Sequence, residues 1–164
     1  MAYQTQDSKK LYRLLDQHAV QEGGNFASLE GVATFKLSTT KARSPFVDIP
    51  AVWMVAQGKK VCYVGDRKVD YLPGNVIVMF YPMAVEFEIV EASPEAPFLA
   101  AGVLIDLGRM AEVLLRLDRI DGAAAKPVSV DPSGVLSVPL SDDLLDSFIR
   151  LFEVLADPTD AEML

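Results

Sequence analysis

The 164-residue chain holds one cysteine, one histidine and one tryptophan, and each shortage removes a class of protein. A single thiol builds no disulfide framework, so the chain is expected in a reducing compartment, the cytoplasm. One histidine and one cysteine are too few soft ligands for an ordinary transition-metal site, so neither a metal nor a cofactor is expected. No run of about 18 apolar residues occurs, and the polar start MAYQTQDSKKLYRLLDQ fits neither a membrane span nor a secretory signal. Basic residues are short too: 15 Lys plus Arg against 23 Asp plus Glu give a formal charge of −8. Phosphate neutralisation needs clustered Lys and Arg, which argues against a DNA-binding surface in this segment. Gly-rich phosphate loops, Walker motifs and GxSxG are all missing.

What is present reads as globular, with 51% hydrophobic and 23% charged residues and neither a repeat nor a low-complexity tract. The length suits one domain that buries roughly two-thirds of its unfolded surface, enough for a core without staples. Residues 8 to 20, SKKLYRLLDQHAV, place Leu11, Leu14, Leu15 and Val20 at near-helical spacing, with Asp7 or Ser8 as N-cap and Gly23-Gly24 as the stop. From Leu29 to Asp106 the pattern becomes β-like: VATFKLS, AVWMVAQ, KVCYVG, RKVDY, VIVMFY, VEFEIVEA and FLAAGVLI. Gly65-Asp66 fits a two-residue hairpin, and Pro73-Gly74 a type II turn. Seven or so short strands with a helix on either side imply a mainly β fold, an antiparallel sandwich or barrel with flanking helices, and a small jelly-roll barrel is the natural choice. Residues 1–28 form the helical lead-in, 29–106 the barrel and 107–164 a C-terminal helical region. In that last part Asp106 caps LGRMAEVLLRL, DGAAAKPVSVDPSG is a connector, and Ser141 caps DDLLDSFIRLFEVLA.

A metal-dependent enzyme on such a barrel needs histidines in the strands. The only one, His18, lies in the N-terminal helix. Cys62 lacks a nearby base and reads as a packed strand residue. Glu86 and Glu88 alternate with Phe87 and Ile89, so the acids face water and the apolar pair the core. Lys59-Lys60 and Arg67-Lys68 read as solvated hairpin charges. What remains is an aromatic and methionine population in the strands, which either fills the barrel or lines a cavity at its mouth. The candidate ligand-binding residues are Trp53, Tyr63, Met79, Tyr81 and Phe87. On the last helix Leu144, Phe148, Leu151 and Leu155 make one apolar stripe beside a second of Leu145, Ile149 and Phe152. Spacing alone suits packing on the N-terminal helix and LGRMAEVLLRL as well as it suits a contact with another subunit.

Three pieces carry a resemblance to a known family: VAQGKK before the hairpin, DYLPGN after it, and VEASPEAPFLA followed by a D-x-x-x-M-A-E-V-L-L helix. With HAVQEGG upstream and LFEVLADPTDAEML downstream, nearly the whole chain resembles the N-terminal effector-sensing domain of AraC-type transcription regulators. The departures are Cys62-Tyr63 in the hairpin strand and Trp53-Met54 ahead of it. The resemblance implies a cupin-like barrel that binds a small-molecule effector, and a homodimer paired through Leu144, Phe148, Leu151 and Leu155 after the barrel. It also implies a separate helix-turn-helix domain that touches DNA. That domain is not in this sequence, so the chain is expected to be the sensing half of a regulator. No ligand residue transfers from the family. The alternative function is a metal-free cupin enzyme, such as a sugar epimerase or isomerase, which needs a titratable His or Tyr pair inside the barrel.

Overall fold

A computed structural model of the chain describes residues 6–121 and 132–157. The element order is α1 (Gln6–His18), β1 (Gly23–Phe26), β2 (Val32–Leu37), β3 (Lys41–Asp48), β4 (Ala51–Gln57), β5 (Lys59–Val64), β6 (Arg67–Tyr71), β7 (Asn75–Met79), β8 (Met83–Glu91), β9 (Phe98–Leu104), α2 (Leu107–Asp121), β10 (Val135–Pro139) and α3 (Asp142–Ala156). The strands form a six-stranded sheet in the order β1-β2-β9-β4-β7-β10 and a four-stranded sheet in the order β3-β8-β5-β6. All pairings are antiparallel. The mainly β, cupin-like architecture with flanking helices is therefore present, as two facing sheets rather than one closed barrel.

Alternation along the strands explains the layering. On β9, Phe98 and Ala100 face the four-stranded sheet, where they join Cys62, Tyr71, Met79, Phe87 and Ile89 in one core. Leu99 and Ala101 point the other way, into a second core with Met54, Leu11 and Leu15 of α1, and Leu145, Phe148, Ile149 and Phe152 of α3. The six-stranded sheet is thus covered on both faces, by strands and by helices, so β9 has no polar side to show.

Local signals operate as their chemistry requires. Gly65 takes φ +57° and Asp66 a negative φ, the type II′ signature for the β5–β6 hairpin. Gly58, between β4 and β5, combines φ +79° with a backbone approach so close that a Cβ would lie 2.5 Å from the Glu91 carbonyl oxygen. Ser141 Oγ accepts from Leu144 N–H at 3.3 Å, capping α3. Asp106 Oδ1 accepts from Arg109 N–H at 3.0 Å at the start of α2, which holds its carboxyl below the usual range.

Three strands exceed the sequence expectation: β1 begins where Gly23-Gly24 was to end a helix, β3 fills the unassigned KARSPFVD, and β10 fills VLSVP after the connector. The N-terminal helix also stops at His18, two residues early. Residues 122–131, most of the connector, and PTDAEML at the end lie outside the described residues. No helix among the described residues is long and apolar enough to cross a membrane.

Candidate functional site

Between the two sheets lies a cavity of about 250 Å³. Thr34 and Phe35 of β2, Trp53 of β4, Lys60 of β5, Tyr71 of β6, Phe87 of β8, and Phe98 and Ala100 of β9 form its walls. Phe26, Phe46 and Ile49, all exposed, surround its mouth. Aromatic side chains dominate, set edge to face where they meet: Phe35 on Phe98 at 6.2 Å and Phe46 on Phe87 at 5.4 Å between centroids. The Trp53 indole lies over the cross-strand partner Gly102, where a Cβ would come within 2.5 Å of its ring. Only glycine leaves that shelf for the indole.

Polar groups in this apolar wall are few and unpartnered. Asp48 Oδ2, Trp53 Nε1 and Tyr71 OH are three of the six buried side-chain polar atoms that find no hydrogen-bond partner among the described residues, and all three belong to residues lining this cavity. An orphaned buried donor or acceptor costs about 1–3 kcal/mol, so their concentration around one cavity opposes stability. Apolar surface with a few convergent polar groups is the usual make-up of a small-molecule site. Lys60 joins them: its Nζ sits 4.7 Å from the Tyr71 ring centroid and 5.1 Å from that of Phe87, with no hydrogen-bond acceptor among the described residues. Burial pulls the Lys60 amine below its ordinary pKa, and the carboxylate of Asp48 offsets part of that. Burial also drives the Tyr71 phenol far above its ordinary range.

Of the residues singled out from sequence, the structure brings Trp53 and Phe87 together on this cavity. Met79 is fully buried in the same inter-sheet core without lining it. Tyr63 lies on the opposite face of the four-stranded sheet, where its hydroxyl donates to Glu88 at 2.6 Å and the Arg43 guanidinium covers its ring at 3.9 Å. Tyr81 packs against Gly134 and donates to the Pro132 carbonyl at 3.1 Å. Lys60, Asp48 and Tyr71 were missed. Lys60 in particular is no solvated hairpin charge, unlike Lys59, whose Nζ pairs with Asp70 at 3.4 Å. Period-2 alternation with the core residue Cys62 was the available signal, since it turns Lys60 inward.

The other candidates for chemistry stay inert. Burial pushes the Cys62 thiol up to about 11, which leaves no thiolate at neutral pH. His18 packs its ring on Phe152 at 5.4 Å, remote from the cavity lining. Among the described residues no three His, Cys, Asp or Glu gather as a metal site would need. On α3, Phe148 is buried against α1 and the sheet, while Leu144, Leu151 and Leu155 sit partly buried at the edge of that core.

Residues 28–164 match the model of the AraC-type transcriptional regulator N-terminus. The chain belongs to that family. Among solved structures, an apo point variant of ToxT from Vibrio cholerae superposes with a TM-score of 0.50 at 6% identity, over 82% of this chain and 49% of that one. The chain therefore spans about half the length of that AraC-type neighbour, and at this identity the likeness concerns the fold alone. A second ToxT structure, described as bound to an unsaturated fatty acid, aligns at 9% identity with a TM-score of 0.48, over 87% of this chain and 50% of that one. No curated protein matches the sequence.

Proposed function

We propose that this AraC-type N-terminus is a non-catalytic sensor that binds a small-molecule effector in the inter-sheet cavity and passes its occupancy to a DNA-binding domain. The observation that carries the reading is the cavity lining itself: aromatic surface with three orphaned polar atoms and an ammonium resting on ring faces. DNA contact falls to a helix-turn-helix domain outside these residues, in keeping with the net charge of −8. A cytoplasmic homodimer is the corresponding assembly, with Leu144, Leu151 and Leu155 at the accessible margin of α3. An epimerase or isomerase is disfavoured, because a phenol held far above neutral pH is a poor base and His18 packs elsewhere.

Trp53 is the only tryptophan and lines the cavity, so its fluorescence reports occupancy. In a thermal-shift and quenching screen of chemically diverse small molecules, at least one is expected to raise Tm in a saturable way and quench Trp53, since a ligand at 100-fold its Kd adds about 2.7 kcal/mol. Ala100→Met, which fills the cavity, is expected to fold and lose both responses. A screen with no saturable hit, together with a plugged variant more stable than the parent, would make the cavity a packing defect.

A further inference from the structure

The effector-site reading leaves open what the polar groups of the cavity recognise. Lys60 and Asp48 line the same small space without forming an ion pair, yet each lies within the other's electrostatic influence. The ammonium rests on the faces of Tyr71 and Phe87 at 4.7 and 5.1 Å. Ring faces hold the charge but accept none of its three N–H donors in the ordinary sense. Asp48 is 2% exposed. Its Oδ1 accepts from Ile49 N–H at 3.0 Å, whereas Oδ2 has no donor. Lys60 therefore needs an acceptor and Asp48 a donor.

Charge decides what kind. Lys60 and Asp48 together bring no net charge to the cavity, so an anionic ligand alone would bury one uncompensated negative charge and a cationic ligand one positive charge. A ligand that carries both charges on groups joined through a single carbon compensates each of the two side chains and adds no net charge. Such a head reaches across up to roughly 8 Å, two charge-assisted hydrogen bonds of about 2.8 Å plus its own internal separation. The remaining donors and acceptors of that head meet the unpartnered Tyr71 hydroxyl and the Trp53 N–H. A volume of 250 Å³, roughly eight waters' worth of liquid, leaves room for one compact apolar side chain against the aromatic walls and excludes a peptide.

Resting on the effector reading above, we infer that the cavity selects a free apolar α-amino acid, its carboxylate on Lys60 and its ammonium on Asp48. Three probes sharing one apolar body isolate the two charges: L-phenylalanine, 3-phenylpropanoate, which lacks the ammonium, and 2-phenylethylamine, which lacks the carboxylate. L-leucine tests the smaller side chain. Trp53 quenching, checked by calorimetry, is expected to show at least one of the two amino acids binding at least about ten-fold tighter than both single-charge probes. In Lys60→Met the advantage of phenylalanine over phenylethylamine is expected to disappear, and in Asp48→Asn its advantage over phenylpropanoate. The wild-type comparison needs no variant to fold. Phenylpropanoate or phenylethylamine binding as tightly as the amino acids would overturn the amino-acid assignment while leaving an effector cavity in place. Failure of all four probes, with a different compound saturating the screen above, overturns it in the same way. No saturable ligand of any kind overturns both.

Discussion

Lys60 is held at a cost to the fold. Desolvation lowers its amine pKa from the ordinary value of 10.5, so the unfolded chain binds its proton more tightly than the folded one does. The penalty is complete below the folded pKa and fades as pH climbs from there towards 10.5, where the unfolded chain releases the proton too. Lys60→Met keeps the length of the side chain and removes the charge. It is expected to unfold about 1 kcal/mol later than the parent at pH 7, the size of gain seen when a functional site is relaxed. That gain should shrink in denaturant titrations run near pH 10. A variant less stable than the parent at pH 7 would mean that the cation–ring contacts outweigh desolvation. Stability given up at one residue, with its partners Tyr71 and Phe87 shaped around it, is the residue-scale mark of a site.

At the scale of elements, what could be read from the chain and what could not divide along the edges of the sheets. The strands read from sequence include every interior strand of both sheets, where β-branched and aromatic runs announce burial. The three missed, β1, β3 and β10, all lie at sheet edges. An edge strand pairs on one side only, so it tolerates the glycines of GGNF, Pro45 in KARSPFVD and Pro139 in VLSVP, and these residues read as turns when met in a sequence. The cavity was half legible for a related reason. Trp53 and Phe87 stand out by size, whereas Lys60 and Asp48 carry charges whose inward direction appears only once strand parity is known. Helix α3 shows the same dependence on context: its two stripes are equal in sequence, but the structure sinks Leu145, Phe148, Ile149 and Phe152 against α1 and the sheet. Phe152 is fully buried and joins the second core to His18. Phe152→Ala is expected to cost about 3–5 kcal/mol in urea titration with an unchanged m-value. A loss under 1 kcal/mol would show that α1 and α3 are not one packed layer.

Over the whole molecule, α2 is the element without a home. Leu107, Val113, Leu114 and Leu115 are exposed on it, and Met110 and Val113 share a groove of about 670 Å³ with Leu151 of α3 and with Val52 and Val103 of the six-stranded sheet. An isolated apolar helix face of this kind is costly in water and marks a surface that meets a partner. Leu104, at the end of β9, lines this groove and the inter-sheet cavity at once, and α2 starts three residues later. Packing around Leu104 thus offers a direct physical route from cavity occupancy to the surface of α2, provided that surface has two arrangements to choose between. Self-association through α2 and the margin of α3 is the arrangement proposed for a two-fold regulator. Sedimentation at tens of micromolar is expected to show a dimer, and Val113→Glu combined with Leu151→Glu a folded monomer, since neither side chain is fully buried in the protomer. Phe148→Glu, by contrast, is expected to unfold the chain, because Phe148 belongs to the core. Leu104→Ala should leave the dimer intact and flatten its response to ligand. A wild-type chain that sediments as a monomer at these concentrations would remove α2 from the interface and leave its apolar face for another partner.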